Sequence, residues 1–134
     1  MEWNTVYRII LHGTPRTKKN SQRLIVAGGR PRIIPSKEFK VYESDCLRQL
    51  AYADRIPGPV NVSCVYYMPT RRRVDLVNLL EATCDILVTA GILEDDNTNI
   101  IAGHDGSRVL YDKNDPRVEI EIGGLKSDEI PFYP

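Results

Sequence analysis

One segment constrains this chain more than any other: TRRRVDLVNLLEATCDILVTAGILEDDNTN, from Thr70 to Asn99. Wound as a helix at ~100° per residue, it brings Leu76, Leu79, Leu80, Ile86, Leu87 and Ala90 into a band roughly 120° wide, the width of a stripe that faces a core. Asn78, Glu81 and Asp85 gather on another side at i, i+3 and i+7, with Asp75 at the helix start. Gly91 reads as the C-terminal stop, which leaves Glu94-Asp95-Asp96 in a turn. The segment therefore predicts a helix with one apolar face and one acidic face.

Between Asp75 and Asn99 there are acids at 75, 81, 85, 94, 95 and 96 and no lysine or arginine. If the acidic turn packs beside the Asp75 end, several carboxylates converge, and a set of hard oxygen ligands suits Mg²⁺ or Mn²⁺. The alternative is a solvated acidic face with Asp75 as a simple N-cap.

Net charge is zero, but it is unevenly laid out: residues 1–73 hold 14 basic and 5 acidic side chains, and residues 74–134 hold 4 and 13. Such asymmetry suggests that the first part faces an acidic polymer, with nucleic acid the natural candidate. Arg71, Arg72 and Arg73 lead into the acidic helix, and the stretch 14–35, TPRTKKNSQRLIVAGGRPRIIP, carries Lys18, Lys19 and Arg23 among its cations. Its short apolar runs flank Gly28-Gly29 and suggest a basic ribbon that presents cations to phosphates, giving affinity more than base readout.

The remaining elements follow from periodicity and punctuation. Trp3 to Gly13 reads as a strand. Ser36 opens a helix running to about Leu50 or Asp54. Val60 to Met68 alternates as a strand after the Pro57-Gly58-Pro59 break. Asn99–Tyr111 and Arg117–Ile122 read as two strands joined in a hairpin by residues 112–116, with Glu119 and Glu121 turned outward. His12 is read as a polar edge residue, and His104, beside Asp105 in a strand that Gly103 to Gly106 interrupts, as facing away from that acid, so neither is expected to carry chemistry. The order β-α-β-α-β-β implies an α+β fold, a two-layer mixed sheet with helices mainly on one face, in one domain over 1–134 with a C-terminal arm at 125–134.

Three cysteines, Cys46, Cys64 and Cys84, show no C-x-x-C spacing, so reduced and packed thiols are expected. No apolar run approaches ~18 residues and no signal peptide is recognisable, so a soluble cytoplasmic protein without a membrane partner is expected. A P-loop and a dinucleotide glycine fingerprint are both lacking, and no small-molecule cofactor is expected.

The central segment resembles the signature of the RusA family of Holliday junction resolvases, approximately D-x-D-N-L-x-K-x-x-x-D-x-L-x-x-x-G-x-x-x-D-D. Asp75, Asn78, Leu79, Asp85, Leu87, Gly91, Asp95 and Asp96 match it without a gap. Two positions depart: the second Asp falls on Val77 and the Lys on Glu81. Lys18, Lys19, Asn20 and Arg23 match a K-x-N-type element near the N-terminus of such proteins.

The resemblance implies a Mg²⁺-dependent endodeoxyribonuclease that resolves four-way DNA junctions by paired symmetric cuts as a homodimer. Asp75, Asp96 and Glu81 would then be catalytic, and Asp75, Glu81, Asp85, Asp95 and Asp96 would hold Mg²⁺, or Mn²⁺. Lys18, Lys19, Asn20, Arg23 and Arg71 to Arg73 would bind DNA. Glu81 would substitute for the carboxylate missing at Val77, and the arginines for the missing lysine. The alternative left open is a dimer that binds branched DNA without cutting it.

Overall fold

A computed structural model describes residues 6–18, 23–34 and 36–125. Along the chain it forms β1 (Val6–His12), β2 (Arg23–Ala27), β3 (Arg30–Ile34), α1 (Lys37–Gln49), β4 (Val60–Met68), α2 (Leu76–Thr89), β5 (Ile101–Gly103), β6 (Arg108–Tyr111) and β7 (Arg117–Gly124). This is the expected α+β class, a mixed sheet under two helices.

The sheet is organised by β4, whose alternation VNVSCVYYM points Val60, Val62, Cys64 and Tyr66 into the core. Val118, Ile120 and Ile122 of β7 and Leu11 of β1 extend that buried layer. Phe39, Tyr42 and Cys46 of α1, with Leu79, Leu80, Ile86 and Leu87 of α2, close it from above. Both helices thus lie on one face. No helix among the described residues is long and apolar enough to cross a membrane.

Caps and turns follow local chemistry. The Ser36 hydroxyl accepts the Phe39 amide at 3.1 Å and fixes the head of α1. Gly28 and Gly29, with φ of 59° and 76°, make the two-residue turn of the separate β2–β3 ribbon, where only glycine takes both positive angles cheaply. On α2, Thr83 is buried because its hydroxyl donates to the Leu79 carbonyl (2.9 Å), which leaves the Tyr66 hydroxyl as donor to Thr83 Oγ1 (2.6 Å).

The expected hairpin at 112–116 is not one. β6 and β7 each pair with β4, on opposite sides of it: β6 runs parallel to β4 and β7 antiparallel. The connection arches over the end of β4, where Asp112 N donates to the Met68 carbonyl. It is braced by Arg117, whose guanidinium reaches Asp112 Oδ2 (3.0 Å), the Asp115 carbonyl (2.9 Å) and Glu119 Oε2 (2.7 Å). The reason lies in the burial of β7, which sits between β1 and β4 and so takes the place a hairpin partner would need.

The strand expected over 99–111, with an interruption at Gly103-His104-Asp105-Gly106, breaks there into β5 and β6. Residues 104–107 leave the ladder, and side-chain bonds to and from β4 replace it: Asn61 donates to the Asp105 carbonyl (3.1 Å) and accepts its amide (2.8 Å). Ser107 Oγ accepts the Cys64 amide at 3.0 Å. His104, expected to have no chemical role, holds the Val62 carbonyl through Nδ1 at 2.8 Å. Trp3 and the arm beyond Leu125 lie outside the described residues.

Candidate active site

The acidic face of α2 forms as its spacing requires, but the two ends of the helix face different surroundings. At the N-terminal end Asp75 occupies the N-cap position with extended backbone, yet its carboxylate makes no capping bond. Among the described residues it accepts only the Asn78 side chain, at 3.3 Å. A simple cap would hold an amide of the first turn, so the structural reading of Asp75 loses its main support. Val77, one of the two departures from the signature, is 72 % exposed, an unusual place for a valine on a helix that buries so much of its surface. Glu81 is exposed one turn further on.

At the C-terminal end, Asp85, Asp95 and Asp96 come together. They line a cavity of about 250 Å³ with Lys18, Glu43, Val88 and Thr89. The acidic turn therefore packs beside Asp85 rather than beside Asp75. At a rise of about 1.5 Å per residue, Asp75 and Asp85 stand roughly 15 Å apart along the axis. Asp75 is not among the residues of this cavity.

Within the turn the acids have different tasks. Asp95 accepts the Asp96 amide (2.7 Å) and the Asn97 side chain (3.1 Å), and the first of these bonds is the main reason its carboxyl is held below the usual range. Asp95 thus builds the turn. Asp96 is exposed and in no salt bridge among the described residues. Lys18 Nζ sits 2.6 Å from Asp85 Oδ2 and 5.8 Å from the Phe39 ring centre. The lysine expected on DNA therefore neutralises an acid expected on metal. Cys84, beside Asp85, is pushed up to about 12 by burial, with Asp96 and Asp85 adding to the effect.

Four carboxylates against one ammonium give the cavity a hard, oxygen-rich donor set suited to a divalent cation. Among the described residues, however, no three acids are close enough to share one ion. Glu43, from α1, was missed by sequence reasoning. Nothing in its local pattern marks it, because its place follows from the packing of α1 on α2.

The arginines divide. The Arg71 guanidinium lies 4.1 Å from the centre of the Tyr111 ring. Arg72 and Arg73 line a second cavity, of about 360 Å³, between residues 14–17 and 68–74. Lys19 and Asn20, and the side chain of Arg23, lie outside the described residues. The charge split of the sequence is answered partly inside the fold, since Arg8 pairs with Glu121 (3.2 Å), Lys18 with Asp85 and Arg55 with Glu94 (3.4 Å).

The family model described as Endodeoxyribonuclease RusA matches residues 12–123. No curated protein matches the chain.

Proposed function

The chain belongs to the RusA endodeoxyribonuclease family, and from that premise we propose that it resolves four-way DNA junctions by metal-dependent hydrolysis, as a homodimer making paired symmetric cuts. Membership implies an endodeoxyribonuclease of the Holliday junction resolvase kind. The observation that carries the finer reading is the cavity where Asp85, Asp95 and Asp96 meet Glu43 at the end of α2, inside the matched span.

In this reading Asp85 and Asp96 would be the pair that holds Mg²⁺ or Mn²⁺, with the rest of its shell left to water and phosphate, and Asp75 serves at the other end of the helix beside the DNA. A bound divalent ion would supply charge neutralisation at the phosphate and a water of lowered pKa. Asp95 fixes the turn that carries Asp96. Lys18 pairs with Asp85 at 2.6 Å and holds it in place. A dimer follows from the substrate: a two-fold enzyme sets one site on each of two opposed strands.

A second reading is favoured by two observations. Asp75 stands apart from Asp96, and Lys18 rather than an open position faces Asp85. Both suit a dimer that binds branched DNA without cutting. Substitution separates the readings: Asp75→Asn and Asp96→Asn should each reduce junction cleavage by at least a hundredfold while junction affinity stays within a few fold. Cleavage at the wild-type rate in the double variant would remove these acids from the mechanism.

A further inference from the structure

The cavity between the loop after β1 and the loop before α2 is the chemical opposite of the acidic one. Arg16, Arg72 and Arg73 line it together with Thr14, Thr17 and Thr70, and no carboxylate does. Elsewhere Arg8, Lys18, Lys40, Arg48, Arg55 and Arg117 each meet an acid. Among the described residues, none of the three cleft arginines is in a salt bridge. Three arginines on one cleft with no carboxylate among its described lining residues make it electropositive, and a guanidinium fork matches phosphate oxygens in pairs.

Thr17 and Ser36 are buried at 6 % and 2 % exposure and form the floor, so the cleft has a fixed shape rather than a fringe of loose side chains. Its last lining residue, Val74, directly precedes Asp75. Arg71, held on Tyr111, continues the positive charge past the cleft. Three arginines on the cleft and a fourth beside it in sequence are more than a single free phosphate needs and suit a polymer of them.

We propose that this cleft seats a backbone phosphate of a DNA strand, gripped by Arg16, Arg72 and Arg73, and so sets the neighbouring stretch of that strand beside Asp75. The assignment rests on the nuclease reading above and adds Arg16, which no motif in the sequence marks, to the DNA contacts. It also gives Asp75 a task at its own end of α2: the acid borders the strand that the cleft holds.

The test is binding of a labelled four-way junction in EDTA across a salt series, for the wild type, Arg16→Gln, Arg73→Gln, the double variant and Arg108→Gln as a control on the opposite face of the sheet. Each cleft substitution should lower the slope of log affinity against log salt by roughly 0.9, and the double variant by about twice that. Arg108→Gln should leave the slope unchanged. Thermal melting verifies that the variants fold, and the arginine Nε–H resonances of the wild type, titrated with junction and with inorganic pyrophosphate, read the cleft without any substitution.

Junction binding with an unchanged slope in the double variant and unshifted Arg16, Arg72 and Arg73 signals would overturn the seat and leave the nuclease reading standing. Signals that move with pyrophosphate while the wild type binds no junction would overturn both.

Discussion

Two residues in equivalent positions show how function separates from structure. Ser36 and Asp75 are both N-caps, but only Ser36 makes the capping bond, to Phe39 N. Ser36→Ala should therefore cost about 1 kcal/mol of stability. Asp75→Asn should change stability by less than about 0.5 kcal/mol in urea unfolding, as for an exposed site without such a bond. A large loss at Asp75 would return it to the scaffold. The thiols make the converse case. Burial pushes Cys46 up to about 11 and Cys64 and Cys84 up to about 12, far above the pH of an ordinary assay. At pH 8 the native protein should not react with a disulfide reagent, and three thiols should titrate once it is unfolded. Rapid labelling of native Cys84 would show the α2 end to be open.

At the scale of elements, α2, α1, β4 and the glycine ribbon are legible in the sequence because each is specified by its own residues: a helical stripe, a serine cap, an alternation and a pair of positive-φ glycines. The connection at residues 112–116 is not. Its residues specify a tight turn, and neighbours in sequence usually pair, yet β4 lies between the strands it joins. The residue that gives the arrangement away is Asn61. A polar side chain on the central strand, at 2 % exposure, demands a partner, and it finds both backbone groups of Asp105 where the β5–β6 edge leaves the ladder. Asn61→Ala should cost about 2 kcal/mol, since two backbone groups lose their partners. The loss should appear as faster amide exchange confined to residues 104–107. Uniform exchange across the sheet would mean that Asn61 serves the fold as a whole.

Over the whole molecule, the acids of the site were legible and their grouping was not. The i, i+3, i+7 face of α2 can be read from spacing, but which end receives the returning turn depends on β5 pairing with the start of β4. For the same reason Lys18, 67 positions away, arrives on Asp85, where the sequence offers the acidic helix no cation at all. The family signature has a lysine where this chain has Glu81. In this chain Lys18 sets an ammonium against Asp85, one turn further along α2.

The molecule that results has a basic cleft at one end of α2 and an acidic cavity at the other, the two surfaces on which the proposed metal-dependent nuclease reading rests. Cleavage of a synthetic four-way junction and of matched linear duplex, in Mg²⁺ and in EDTA, tests that claim most directly. The account predicts paired symmetric nicks in the junction alone and only with Mg²⁺. Junction binding without any cut in Mg²⁺ or Mn²⁺ would contradict it and leave a dimer that holds branched DNA.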